Sequence, residues 1–122
     1  MDDEKKIEVG VQHYFDGMHE SSSEKILQIF HHEARVAGYL HGDLMLMSAS
    51  DFASFVESQQ PSPKKNGDEI ILEILSCEVA GKTACVKVRD KYLGSIFLDT
   101  LSFINIDGEW QIYNKLFHVE SD

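Results

Sequence analysis

The chain has 122 residues, 43% of them hydrophobic, which is enough for one buried core and indicates a single domain over residues 1–122. Its formal net charge is −10, from 21 acidic and 11 basic residues, and the basic residues are scattered, which argues against binding to nucleic acid or to an anionic membrane surface. The first residues lack the apolar run of a signal peptide, and no apolar stretch is long enough to cross a bilayer, so a cytoplasmic protein is expected.

Three helices are predicted in the first half of the chain. The first covers residues 5–18, because apolar residues recur there at the spacing of one helix face: Ile7, Val11, Tyr14, Phe15 and Met18. A short second helix over residues 24–31 follows a run of serines that can cap it. The third begins after Ser50 as N-cap and ends before Pro61.

Strands are predicted around and after these helices. Residues 34–40 and 44–48 flank His41-Gly42-Asp43 and indicate a small hairpin. After a loop over residues 59–68, four antiparallel strands are expected in meander order, with no clear pattern at residues 90–94. Their predicted ranges are 69–79, 83–89, 95–106 and 110–119.

The turn at Asp107-Gly108 sets the register of the last hairpin. With a two-residue turn, one face of the hairpin would be apolar except for three polar side chains, those of Asp99, Asn114 and His118. Such a face is typical of a ligand pocket. The expected pairs are Asn105 with Trp110, Phe103 with Ile112, Leu101 with Asn114, Asp99 with Leu116, and Phe97 with His118. A bulged three-residue loop would instead bring Lys115 to the side of Asp99 and send His118 and Asn114 to the other face. That other face is also apolar, so we expect a homodimer through it.

The order of these elements and several short motifs resemble the nuclear transport factor 2-like superfamily, in the putative lumazine-binding branch close to the SnoaL-like cyclases. The motifs are Tyr14-Phe15-Asp16-Gly17, residues 30–34, Ser50-Asp51-Phe52, residues 99–103 and residues 110–115. The resemblance covers nearly the whole chain. It implies an α+β fold, a cone-shaped barrel in which N-terminal helices pack on a strongly curved antiparallel sheet, with a pocket between them and usually a homodimer. It implies no particular activity.

Three residues are candidates for chemistry. Asp99 lies in the middle of a predicted strand among apolar residues, which is typical of a general base with a raised pKa or of a structural carboxylate bonded to its neighbours. In the isomerase-like relatives a tyrosine of the first helix can donate to a substrate oxygen, which implies this role for Tyr14. His118 could exchange a proton with Asp99 if the two-residue turn holds. The expected ligand-binding residues are His31, Phe97, Leu101, Phe103, Trp110, Asn114 and Lys115.

These residues favour a pocket that binds a small apolar or aromatic molecule. One alternative is an isomerase, dehydratase or cyclase without a cofactor, in which Asp99 is the general base. Another is a structural dimerisation module without a ligand. No metal site is expected, because no pair of histidines has the spacing of a zinc motif, and no cofactor is expected, because the sequence has no glycine-rich phosphate loop.

Overall fold

The computed structural model describes residues 2–122 and consists of four helices and six strands. The helices are α1 (Asp3–His19), α2 (Ser23–Ile29), α3 (Ala49–Ser58) and the short α4 (Pro63–Asn66). The strands are β1 (Phe30–Leu40), β2 (Asp43–Ser48), β3 (Leu72–Ala80), β4 (Thr83–Tyr92), β5 (Ser95–Ile106) and β6 (Glu109–Ser121). The predicted α+β class is confirmed.

All six strands form one sheet in the order β2-β1-β6-β5-β4-β3. Neighbouring strands are antiparallel except β1 and β6, which run parallel, so the predicted all-antiparallel sheet is corrected at this one pair. Within residues 2–122 the edge strands β2 and β3 do not pair with each other, and the sheet is open. The helices cover one face, which we call the inner face, and leave the other, the outer face, uncovered.

Helix α1 forms as the periodicity predicts. Asp2 caps it, since its carboxylate accepts a hydrogen bond from the backbone N–H of Lys5 at 2.8 Å. The apolar stripe of the helix is fully enclosed against the sheet and α2. Its buried members are Ile7, Val11, Tyr14, Phe15 and Met18. This packing fixes the phenol of Tyr14 over the middle of the inner face.

The second helix is shorter than predicted. It ends at Ile29, and Phe30 begins β1 by pairing with Ile112 of β6. Sheet pairing thus outweighs the helical pattern of residues 24–31, and the expectation that His31 closes a helix is wrong. Helix α3 starts two residues early, because Ser48 rather than Ser50 forms a capping box with Asp51.

The last hairpin combines both expected registers. The two-residue turn is confirmed, with Ile106 opposite Glu109 and Phe103 opposite Ile112. Tyr113 is then an extra residue on β6, since Ser102 pairs with Asn114. Beyond this bulge every predicted pair is displaced by one residue. The observed pairs are Leu101 with Lys115, Asp99 with Phe117, and Phe97 with Val119, which correct the expected partners Asn114, Leu116 and His118.

The bulge turns Lys115 and Phe117 to the inner face, and a glycine on β1 makes room for them. Gly38 pairs with Phe117, and a Cβ atom at Gly38 would lie 2.6 Å from the Phe117 ring. Since that distance is far below a normal contact, only glycine allows the ring to lie against β1. Phe117 is therefore held in a fixed position beside the cavity described next.

Candidate functional site

An apolar cavity of about 230 Å³ lies on the inner face, between α3, the β1–β2 hairpin and the far ends of β4, β5 and β6. Aromatic and methionine side chains supply most of its wall: Met18, Met45, Met47, Phe52, Phe55, Phe97 and Phe117. Five polar residues also line it: His41, Asp90, Tyr92, Ser95 and Lys115. A few polar groups in an apolar wall are typical of small-molecule sites.

Three adjacent strands bring two carboxyl groups and an ammonium group together. Val88 of β4 pairs with Asp99 of β5, which makes Asp90 a diagonal neighbour of Asp99 on the inner face. On the other side, Leu101 pairs with Lys115 of β6, so Lys115 is also diagonal to Asp99. Asp99 thus lies between Asp90 and Lys115, and we call Asp90 and Asp99 the acid pair.

Tyr14 and Asp99 form a hydrogen bond in the interior. The Tyr14 hydroxyl donates to Oδ2 of Asp99 at 2.7 Å, and both residues are fully buried. Burial, and after it the negative charge of Asp99, raise the pKa of the Tyr14 phenol well above its ordinary value. Tyr14 therefore stays protonated and keeps one oxygen of Asp99 satisfied.

Asp90 is 1% exposed, and in the described part of the chain neither of its carboxyl oxygens has a hydrogen-bond donor. Burial raises its pKa well above the ordinary value, the Asp99 carboxyl group raises it further because it accepts a hydrogen bond from protonated Asp90 and repels a second negative charge, and the charge of Lys115 opposes both effects. Oδ1 of Asp99 also has no donor from residues 2–122. A proton on Asp90, donated to Oδ1 of Asp99, would give that oxygen the donor it lacks, so we interpret the acid pair as joined through a proton carried by Asp90.

Lys115 is only 5% exposed and has no carboxylate within 4.0 Å among residues 2–122. Its Nζ lies 4.4 Å from the ring centroid of Phe52 and 4.8 Å from that of Tyr14, and is 3.9 Å from Sδ of Met18. The Phe117 ring is 5.9 Å away. Aromatic faces attract a cation, so this cage holds the amine at the cavity wall without neutralising it.

Tyr92 is a second polar side chain at the cavity wall whose polar atom lacks a partner among residues 2–122. Its hydroxyl is buried and has no partner within the described residues, and burial raises its pKa. A buried hydroxyl without a partner is unfavourable in an empty site and can bond to a bound molecule.

A family model described as "Putative lumazine-binding" matches residues 2–118. The chain belongs to this family. Its fold matches NTF2-like proteins of unknown function from Silicibacter pomeroyi, with a TM-score of 0.86 and 22% identity over 95% of this chain and 94% of that one, and from Methylobacillus flagellatus, with a TM-score of 0.87 and 23% identity over 99% and 94%. The chain is also 26% identical, over 86% of its own length and 82% of the relative's, to Aldolase FrzH from a Cladobotryum species. The nuclear transport factor 2-like resemblance is confirmed.

This member of the putative lumazine-binding family brings some of the predicted site residues together. Phe97 and Lys115 line the cavity, and Asp99 and Tyr14 lie directly behind Asp90. Three others belong to the buried core and not to the cavity wall: Leu101, Phe103 and Trp110. The Trp110 indole donates instead to Oδ1 of Asp3 in α1 at 3.2 Å.

Three predicted site residues lie away from the cavity. The bulge at Tyr113 leaves Asn114 and His118 out of its wall, and His118 is exposed, so their expected placement beside Asp99 is wrong. His31 stacks on His32 with ring centroids 4.2 Å apart and lies 5.2 Å from the exposed Tyr113 ring, away from the cavity. None of the three can contact a molecule bound at Asp90.

Asp90 and Tyr92 were not predicted from the sequence as site residues. The signal was present, because Ala84, Val86 and Val88 alternate as an inward-facing set and the same period of two continues to Asp90 and Tyr92. Extending β4 by this alternation would have placed a carboxyl group and a phenol on the inner face.

Among residues 2–122, no helix is both long and apolar enough to span a bilayer. In the same residues, no three His, Cys, Asp or Glu side chains are grouped closely enough to hold a metal ion.

Proposed function

We propose that the cavity binds a small, mostly apolar carbonyl compound and that the chain catalyses proton transfer at the carbon next to the carbonyl group. The observation that carries this proposal is the acid pair at the apolar cavity. Its member Asp90 lines the cavity, and the buried Asp90 carboxyl group has no hydrogen-bond donor among residues 2–122. Buried titratable groups with strongly raised pKa values in a cleft are typical of catalytic sites.

Asp90 is the proposed general base, because it lines the cavity and Asp99 does not. The raised pKa of Asp90 makes its ionised form a stronger base than an ordinary carboxylate. Asp99 and Tyr14 act as positioning residues, since the Tyr14 hydroxyl donates to Asp99 and holds it beside Asp90. The predicted role of Asp99 as the base thus becomes a supporting one in this proposal.

The curated relative supports a carbonyl substrate. Aldolase FrzH is an aldolase by name, and aldol chemistry begins with removal of a proton next to a carbonyl group. The orphaned hydroxyl of Tyr92 is available at the same cavity to donate to a carbonyl oxygen on which negative charge develops.

The proposal is tested by proton exchange in deuterated water. Cyclohexanone, acetophenone and propanal are incubated with the protein, and the loss of their α-proton signals is followed by NMR. We expect exchange of at least one compound above the buffer rate, and a loss of about 10²–10⁴-fold in Asp90→Asn, because a general base contributes that much. Asp43→Asn, at an exposed position in β2, is the matched control and should exchange normally.

Binding without exchange would contradict catalysis. If these compounds shift the NMR signals of Phe97 and Phe117 but no α-proton exchanges, the chain is a binding module, as the sequence first favoured. Equal exchange by wild type and Asp90→Asn would remove Asp90 as the base.

We also propose a homodimer through the outer face. A row of aligned residues crosses four strands of this face, from Leu46 through Ala37 and Leu116 to Thr100. Leu46 is 72% exposed and Leu116 is 51% exposed. A second copy related by a two-fold axis would cover both with the same apolar surface.

Light scattering after size exclusion tests the dimer. Wild type should elute as a dimer and Leu116→Glu as a monomer, because a carboxylate cannot be buried in that contact without a partner. Leu27→Glu, at an equally exposed leucine on α2, should stay dimeric. A monomeric wild type would refute the proposal.

A further inference from the structure

We propose that the amine of Lys115 forms an imine with the carbonyl substrate, and that proton removal by Asp90 takes place on this covalent intermediate. The inference rests on the proposed function, since it names the covalent form in which that site would hold its carbonyl compound. It assigns a nucleophile where the acid pair by itself offers only acid–base chemistry.

The position of Lys115 suits a nucleophile better than a structural ion pair. Its Nζ is at the wall of the cavity and is almost completely buried, yet no carboxylate of residues 2–122 lies within 4.0 Å of it. A buried lysine is normally paired, because transfer of an unpaired ammonium group from water is costly. An amine attacks a carbonyl carbon through its nitrogen lone pair, so an amine at the wall of a cavity that holds a carbonyl compound is placed to act as a nucleophile.

The aromatic cage suits the product as well as the free amine. Phe52 and Tyr14 present their rings to Nζ at 4.4 and 4.8 Å. A protonated imine is also a cation at this nitrogen, so the rings stabilise it after the carbonyl compound has been bound. The charge at the centre of the site is therefore conserved through the reaction, and no new charge has to be buried.

The step balances with the groups present. The ammonium group of Lys115 gives one proton to the acid pair through a water molecule of the cavity, and the nitrogen lone pair attacks the carbonyl carbon while the C=O π electrons move to oxygen. The second N–H proton and the proton returned by the acid pair go to that oxygen, which leaves as water when the C=N bond forms. The nitrogen lone pair forms the C=N bond as water leaves, and the third N–H proton stays on nitrogen, so the imine is protonated and carries the one positive charge that the ammonium group carried before. In the protonated imine the electron-poor C=N bond then accepts the electrons of the α C–H bond when Asp90 removes that proton.

Reductive trapping tests the inference. The protein is incubated with benzaldehyde and sodium cyanoborohydride, which converts an imine irreversibly into a stable secondary amine, so even weak occupancy accumulates. Intact mass and peptide mapping then locate the added benzyl group. We expect one fast addition at Lys115, and at least roughly 100-fold slower labelling of the exposed lysines, since proximity in a binding site raises the effective concentration.

Two variants with the same substitution separate the site from general lysine reactivity. Lys115→Arg keeps the positive charge in the aromatic cage but cannot form an imine, and it should lose the fast addition. Lys87→Arg removes a lysine that bonds to Thr100 on β5, outside the cavity, and should label like wild type. Circular dichroism of both variants confirms that they are folded.

The outcomes distinguish this inference from the proposed function. The imine is overturned if no adduct forms at Lys115. It is also overturned if Lys115→Arg is labelled at other lysines as fast as the wild type is labelled. If the adduct is absent while α-proton exchange remains sensitive to Asp90→Asn, acid–base catalysis stands and the covalent step falls. If Lys115 is labelled but Asp90→Asn exchanges normally, the imine stands and the proposed base is wrong.

Discussion

Replacement of Asp90 by asparagine is expected to stabilise the protein at neutral pH, although it alters a buried polar group at the proposed centre of catalysis. In wild type, the pKa of Asp90 is raised in the folded state by burial and by Asp99. The side-chain amide introduced by Asp90→Asn would need no bound proton to donate to Oδ1 of Asp99, which has no donor in residues 2–122. We expect a gain in the free energy of unfolding of about 1–3 kcal/mol, the usual cost of an unsatisfied buried group.

The pH dependence gives this prediction its sign. An acid whose pKa is higher in the folded than in the unfolded state binds more protons when folded. Stability therefore falls as the pH rises above the unfolded value of about 3.9 and continues to fall until the folded pKa is passed. Asp90→Asn should show a flatter profile and little advantage near pH 3.5.

Chemical denaturation at a series of pH values measures the effect. Asp43→Asn, an exposed substitution of the same kind, should follow the wild-type profile. A profile of Asp90→Asn that runs parallel to wild type from acid to neutral pH would show that Asp90 does not titrate with a raised pKa.

Replacement of Tyr14 by phenylalanine is expected to destabilise the protein. The substitution keeps the ring that packs against Phe30, with centroids 6.0 Å apart, but removes the hydroxyl that donates to Asp99 at 2.7 Å. Oδ2 of Asp99 would then be a buried acceptor without a donor. We expect a loss of about 1.5–3 kcal/mol in the free energy of unfolding, as for hydrogen bonds to charged groups.

Tyr92→Phe is the matched control, because it removes a buried tyrosine hydroxyl at the cavity that has no partner within residues 2–122. Urea denaturation should find it as stable as wild type or more stable. A Tyr14→Phe variant with the stability of Tyr92→Phe would mean that the bond to Asp99 contributes nothing net. A double-mutant cycle with Asp99→Asn then isolates the coupling between the two side chains.

Local patterns were sufficient to predict most of the fold. The apolar stripe of α1 and the Asp107-Gly108 turn depend on residues near each other in sequence, and both predictions are confirmed. The end of α2 was wrong because Phe30 is drawn into the sheet by β6, a strand far away in the sequence, and no local pattern reports that pairing.

The candidate site was harder to predict, since its geometry depends on one unpaired residue. Asp99 and Tyr14 were identified, and they are bonded to each other. Lys115 was expected on the side of Asp99 only under a bulged loop, whereas the bulge lies inside β6 at Tyr113. Beyond the bulge the polar Lys115 faces inward and the apolar Leu116 outward, so residue types do not mark the change of face, and the position of the bulge could not be read from the sequence.

The same bulge divides β6 into two segments of opposite parity. Before Tyr113, even-numbered residues such as Trp110 and Ile112 point inward, and after it odd-numbered residues such as Lys115 do. In a sequence alignment, a relative that lacks a residue equivalent to Tyr113 would need a one-residue gap at this point, so that its cavity residues are matched correctly. An alignment that places the gap elsewhere would match Lys115 to an outward residue, and the amine would look unconserved in proteins that in fact retain it.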